Sequence, residues 1–352
     1  MLKPQTAEVA DEMTSEDVKG QSQGQLIRKK FFRHKGAVFG LIYFALLVIF
    51  VFAAAGLHLK TPIGSVNIPG LWPIPTDQMD EVSVDFGAGD IIIIGAPTLD
   101  LNIFDGNGVS IGAHPAGQDP IGHDYFSLVV NGAQTSLMVM FIIGIIAGLI
   151  GTLVGSVSGF FGGKVDQVLM RFTDLIITIP TIIIGALIGA QFGNLGVVVL
   201  ALFLGLLSWT GLARLVRGEF LSLREREFVD AARVSGAKNG RIIFKHILPN
   251  AIGVIIVSVS LILSGAILLE TALSYVGFGV QAPEVSLGTL ISTYQDSFQS
   301  SPWLFWWPGF FMVTIALSVN FIGDGLRDAF DPRQSNVKML RSLKEKKSKK
   351  KA

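Results

Sequence analysis

The sequence predicts an all-α, polytopic membrane protein with six transmembrane helices, and three observations carry that prediction. Half of the 352 residues are hydrophobic, 16% are charged and 40 are glycine, with a mean hydropathy of +0.56, a balance far from that of a soluble domain. Apolar runs at 37–57, 132–158, 167–192, 195–216, 251–274 and 304–323 meet or approach the about 20 residues a helix needs to cross the hydrocarbon core. Basic and acidic loops alternate between those runs, and Lys and Arg concentrate on the cytoplasmic side of membrane proteins.

Taken in order, residues 1–35 read as a cytoplasmic N-terminal tail. Its piece "AEVADEMTSED" is acidic and poor in apolar residues, which predicts disorder. No signal-peptide core precedes the first apolar segment, 36–57, which is expected to remain as an uncleaved anchor. That segment, "AVFGLIYFALLVIFVFAAAGL", holds no charge, and Arg28, Lys29, Lys30, Arg33 and Lys35 stand before it. The region 58–127 carries nine Asp or Glu against one base, Lys60, and reads as external. Its stretch 58–114 has no role that the sequence assigns.

A core of five helices is expected over 128–325. The third and fourth runs form a hairpin around "FGNLG", with Arg171 and Asp174 in an interfacial first turn. Eight Lys or Arg from Arg214 through Lys245 make the next loop internal, whereas residues 275–303 hold Glu284 and Asp296 and no base. The sixth run opens on the aromatic belt "WLFWWPGFF". Residues 326–352 form a basic cytoplasmic tail ending "KEKKSKKKA", whose charge suits anionic headgroups better than nucleic acid and predicts disorder. Both termini are therefore expected inside a plasma membrane.

Glycines recur every fourth residue at Gly151, Gly155, Gly159 and Gly163, and again at Gly185, Gly189 and Gly193, a spacing that lets helices approach closely in lipid. The segment "SGFFGGKVD" at 158–166 approaches a phosphate-binding loop. It places Ser158 where glycine is required and Val165 where Ser or Thr is, so ATP hydrolysis is not expected in this chain. There is no cysteine, and the five histidines show no paired ligand spacing, so no metal or cofactor site is inferred. Glu270 lies at the external end of the fifth run. It is a candidate for the translocation path or gate because acids in membranes are costly, or else an interfacial side chain that reaches water or a neighbour. Asp324, Arg327 and Asp328 suggest a salt-bridge cluster closing the sixth helix.

The most polar stretch inside the core is "FLSLREREFVDAARVSGAKNGRIIFKHILPN" (220–250). The run "LREREFVDAARVS" predicts a helix that puts Phe228, Ala231, Ala232 and Ser235 on one narrow face, ended by Gly236. A second short helix fits "NGRIIFKHI", halted by Pro249, which opens the next span. An interfacial helix on anionic lipid is one reading. Mixed charge and a small-residue face favour docking to protein.

"DAARVSG" followed by "HILPN" resembles the EAA loop, here within 217–249, of the membrane subunits of ATP-binding-cassette importers, and is most similar to the dipeptide and oligopeptide permeases. "GHDYFSLVVNGAQTSL" (122–137), "WTGLARLVRGEFLSLREREFVDAARVSGA" (209–237), "LSYVGFGVQAPEVSLGTLI" (273–291) and "NFIGDGLRDAFDPR" (320–333) extend the resemblance over about 115–333. It implies a type I importer permease that works with a homologous permease, two cytoplasmic ATPases that bind ATP and magnesium, and an external substrate-binding protein. It assigns ATPase coupling to Glu227, Asp230, Ala231, Ala232, Arg233, Gly236 and Pro249, leaves Phe228 and Val229 as structural anchors, and implies that Gly236→Val separates the chain from its ATPase. The sequence departs from the family at Asp230, in place of glutamate, and at His123 and Gln134, each in place of arginine. Peptide is the cargo the subfamily implies, with nickel, glutathione or oligosaccharide as alternatives; an ion-coupled secondary transporter or a membrane scaffold are readings of other classes.

Overall fold

The computed structural model describes residues 23–330 apart from 62–63, 83, 87–91 and 101–109. The tail segments "AEVADEMTSED" and "KEKKSKKK", with their expected disorder, lie outside the described residues.

The chain begins with α1 (Gln23–Arg33) and α2 (Lys35–Ala55). Their junction is His34, whose ring Nδ1 accepts the Ala37 amide and caps α2. The expected N-terminal tail therefore includes a helix. Three antiparallel hairpins follow: β1 (Gly56–Thr61) with β2 (Gly64–Pro69), β3 (Val84–Phe86) with β4 (Ile92–Ile94), and β5 (Leu99–Asp100) with β6 (Ser110–Ile111). They occupy the stretch whose role the sequence left open, and "DIIIIG" is the β-branched run behind one of them.

α3 (Tyr125–Phe161) is capped by Asp124, whose carboxylate accepts the Ser127 amide, and α2, α6, α7 and α9 pack around it. α4 (Gly163–Thr178) and α5 (Thr181–Phe192) meet at 74°, and α6 (Val197–Ser208) and α7 (Thr210–Leu223) at 40°. The third run was expected to be one unbroken span. It breaks at Ile179, which is extended (φ −89, ψ 124) because Pro180 follows and disfavours helical backbone before it. The 40° bend coincides with the Ser208 hydroxyl bonding back to the Leu204 carbonyl at 2.8 Å.

After α8 (Glu227–Val234), α9 runs without interruption over Asn239–Tyr275. This corrects the expected short helix halted by Pro249. Over Ile242–Ile247 the helix widens into a π turn in which the Leu248 amide reaches the Ile243 carbonyl five residues back, a register that admits the proline. A short α10 (Leu287–Tyr294) precedes α11 (Trp303–Phe330), which continues past the expected boundary at 325. Among the described residues, α2, α3, α9 and α11 are long and apolar enough to cross a membrane, and counting each bent pair as one span gives up to six crossings by length and composition.

The largest core cluster joins Leu137, Met140 and Ile143 of α3 to Leu200 and Leu204 of α6 and Ile267 of α9. Outward, Phe39, Ile42, Leu46 and Ile49 form an exposed apolar stripe on α2 at helical spacing, as a lipid-facing helix requires. The two ends of the bundle differ in charge. One carries α1, α8 and the bases from Arg214 to Lys245; the other carries the hairpins and α10.

Candidate functional site

At the basic end, glycines fix how the polar loop is held. A Cβ on Gly151 would stand 2.9 Å from the Trp209 carbonyl, one on Gly155 2.5 Å from that of Ala213, and one on Gly159 2.7 Å from that of Arg217, so α3 and α7 touch backbone to backbone. Gly163 does not join this stripe. It lies at φ +53 with nothing near its Cβ position and starts α4. Gly185 abuts Leu273, and Gly189 abuts the Phe278 backbone, at the opposite end. Arg217 holds Asp166 through two bonds of 2.5 and 2.7 Å, and Ser158 donates to the same carboxylate at 2.5 Å. Arg224 donates to the Gly159 carbonyl at 3.1 Å. These contacts join the corner where α3 turns into α4 to the end of α7.

The same corner explains where α8 begins. The expected helix from Leu223 to Ser235 starts at Glu227, because α7 extends through Leu223 and the Arg224 tie turns the chain out of it. Val229 and Ala232 are buried against Phe160, Val216, Phe220 and Ile243, which anchors α8 on its inner side. Gly236 ends it at φ +77, with the Ala237 amide on the Ala232 carbonyl and the Gly236 amide on that of Arg233, at 3.1 and 2.9 Å. These two bonds form a Schellman cap.

The residues assigned to coupling are thus brought together, though not on one face. Glu227, Asp230, Ala231 and Arg233 are exposed, Asp230 and Arg233 pair at 3.0 Å, and Ala232 points inward. Pro249 stands apart, exposed on α9. Phe228 is no anchor: it is 39% exposed, and only Val229 fills that role. Two apolar side chains that the sequence reading did not single out are also exposed here, Val234 at 90% and Phe244 at 62%. The signal for Val234 was present, since it completes an i, i+4, i+7 stripe with Glu227 and Ala231. Between α8 and the start of α9 lies a cleft of about 400 Å³ bordered by Phe228, Ala231, Gly236, Arg241 and Lys245. Its chemistry is recognition: an apolar floor of small residues beside two cationic side chains.

At the opposite end, Glu270 is fully buried, which removes the reading in which it reaches water. Its carboxylate accepts from Ser136 of α3 at 3.0 Å and from Ser274 at 2.7 Å. Ser136 in turn accepts the Leu287 amide at 3.2 Å, and Ser274 lies 3.4 Å from Ser286, the residue capping α10. One carboxylate therefore clasps α3, α9 and α10. Nearby, Asp119 takes the His123 ring at 2.7 Å and the Tyr294 hydroxyl at 2.9 Å, while Asp124 takes Trp72 Nε1 at 2.7 Å and His114 at 3.0 Å. Burial and the Asp119 charge push the Tyr294 phenol up, so it remains a donor. His123 and Gln134, two departures from the family pattern, have these local partners: Asp119 for the first, the Gly56 carbonyl for the second. The expected salt-bridge cluster at the end of α11 is not formed among the described residues; Asp328 instead faces His34 at 3.6 Å, across the α1–α2 junction.

Comparison with known proteins adds the following. A family model described as "Binding-protein-dependent transport system inner membrane component" matches residues 151–336, and one described as "N-terminal TM domain of oligopeptide transport permease C" matches 22–81. The oligopeptide transport system permease protein OppC of Haemophilus influenzae is 35% identical over 326 residues, 93% of this chain and 94% of its own. Its counterpart in Escherichia coli K12 is 35% identical over 334 residues, 95% of this chain and 99% of its own. A solved inward-facing MetNI methionine ABC transporter chain overlaps 58% of this chain and 96% of its own, with a TM-score of 0.48 and 20% identity.

Proposed function

This chain belongs to the binding-protein-dependent transport system inner membrane components, and from that premise we propose that it is the peptide-conducting permease subunit of an ATP-driven importer of type I fold. It forms the path with a homologous permease, receives cargo from an external binding protein, and draws its energy from two cytoplasmic ATPases. The basic end, with both termini, faces the cytoplasm, as the Lys and Arg distribution favours.

The observation that carries the coupling role is the two-sided α8. Val229 and Ala232 root it in the core formed by α3, α7 and α9, while Phe228, Ala231 and Val234 are left open to a partner. A helix rooted this way moves with the core it is packed into. An ATPase that moves α8 moves the α3–α7 pair through the glycine contacts and α9 through Ile242, Ile243 and Ile247. The relatives are named as oligopeptide permeases, and that supports peptide as cargo here.

The test is uptake of a labelled tripeptide into proteoliposomes holding both permeases, the ATPases and ATP, with binding protein added outside. ATP-dependent accumulation that stops without binding protein is expected. Accumulation driven by an ion gradient in the absence of ATPase would overturn the reading.

A further inference from the structure

A cavity of about 860 Å³ opens at the hairpin end, walled by the first turns of α3, the segment 69–77 and the loop before α10. Its volume is in the range of about 300–1,000 Å³ that small-molecule sites occupy. The charged groups that face it are carboxylates. Asn131 donates one amide N–H to the Ser127 carbonyl at 2.9 Å and Gln134 one to the Gly56 carbonyl, so each side chain keeps its oxygen and one N–H for the cavity. Glu284 takes the Val197 amide on Oε2 at 2.7 Å, and its Oε1 accepts no hydrogen bond among the described residues. Asp77 stands exposed at the rim.

Thr135 is the most telling of these groups. It is 9% exposed, lines the cavity and makes no hydrogen bond among the described residues. Thr173, Thr178, Thr271 and Thr314 all bond the carbonyl four residues back, the usual way for a helical threonine to satisfy itself. The Thr135 hydroxyl opens onto the cavity and is left free to bond water or a ligand there. Among the described residues no Lys or Arg lines the cavity, and its one imidazole, His123, is committed to Asp119. Two carboxylates with no Lys or Arg beside them suit a positively charged ligand, and the two amides and the hydroxyl can meet its N–H and C=O groups.

We propose that this cavity is an acceptor site for the ammonium-bearing end of a short peptide, occupied on the external side before passage. The proposal rests on the peptide-importer reading. Asn131 and Gln134 face the peptide's N–H groups, Thr135 hydrogen-bonds the ammonium or the first carbonyl, and Asp77 and Glu284 supply the counter-charge.

The chain has no cysteine, so a single introduced thiol is its only labelling site, read on this chain's own band after the subunits are separated. Asn131→Cys is placed on the cavity wall and Leu149→Cys, 66% exposed further along α3, serves as control. Complexes of permeases and ATPases in nanodiscs, without binding protein so that its own selectivity does not enter, are labelled with a maleimide in the presence of trialanine or N-acetyl-trialanine. Trialanine should slow labelling at Asn131→Cys, the acetylated peptide should do so about fivefold less well, and neither should act at Leu149→Cys. Adding Asp77→Asn, a change at an exposed rim position, should remove the difference between the two peptides. Equal protection by both peptides, or none while the wild-type complex with its binding protein still imports trialanine into proteoliposomes, overturns the site alone. Failure of the wild-type complex to import any peptide overturns the site and the reading beneath it.

Discussion

Gly236→Val isolates the backbone geometry of the coupling loop. The residue sits at φ +77, and no atom lies within 4 Å of where a Cβ would stand, so the substitution strains the chain without a clash. A side chain in the left-handed region costs about 1–2 kcal/mol, and a β-branched one is among the worst suited. The same conformation carries the two Schellman bonds of α8, an eight-residue helix with little stability of its own. A penalty of that size lowers the population of the docking conformation about 5- to 30-fold. The bundle, rooted through Val229, Ala232 and the α3–α7 glycines, should assemble normally. Titrating purified ATPase onto nanodisc permease should then show apparent Kd weakened by that factor, at unchanged permease yield. Gly236→Asn, which tolerates the left-handed region better, should fall between the two. Normal ATPase affinity in the valine variant, or an asparagine variant as weak as valine, would refute the argument.

Val234→Asp alters a side chain that is 90% exposed, so thermal stability should stay within about 0.5 kcal/mol of wild type while ATPase binding is lost; unimpaired binding would remove Val234 from the docking surface. Arg217→Met strands the Asp166 carboxylate at the α3–α4 corner and should cost about 2 kcal/mol, read as a lower midpoint in a detergent melt, with Asp166→Asn milder. Glu270→Ala leaves the Ser136 and Ser274 hydroxyls without their acceptor and opens a void, a loss of about 2–4 kcal/mol, whereas Glu270→Gln keeps an acceptor oxygen and should lose about half as much. An alanine variant as stable as wild type would mean the clasp holds nothing.

The crossings were legible because apolar length and loop charge are local properties that lipid selects directly. Their interruptions were legible only in part. Pro180 announces the break of the third span, since the residue before a proline avoids helical backbone. The π turn over Ile242–Ile247 carries no local mark, and Pro249, read as a stop, is absorbed into the helix it was expected to end. In the coupling loop the residue types were visible and their facing was not. Facing depends on where α8 begins, and that is set by Arg224 reaching the Gly159 carbonyl, a contact across 65 positions. Glu270 is the same kind of case. Its burial follows from Ser136, 134 positions earlier, and no periodicity brings the two together.

The continuity of α9 joins the two sites mechanically. Had Pro249 ended a separate short helix, the loop would hinge there, and motion at α8 would dissipate before reaching the membrane. Instead one helix carries Arg241 and Lys245 of the α8 cleft at one end and Glu270 at the other, roughly 40 Å apart at about 1.5 Å per residue. A rigid rod of that length turns a small displacement at its base into a comparable one at its tip. At the tip stands the carboxylate that holds α10 to α3 through Ser136, Ser274 and Ser286. On the coupling we propose, force applied to α8 is delivered where the hairpin end is clasped, beside the cavity that faces Asn131 and Thr135.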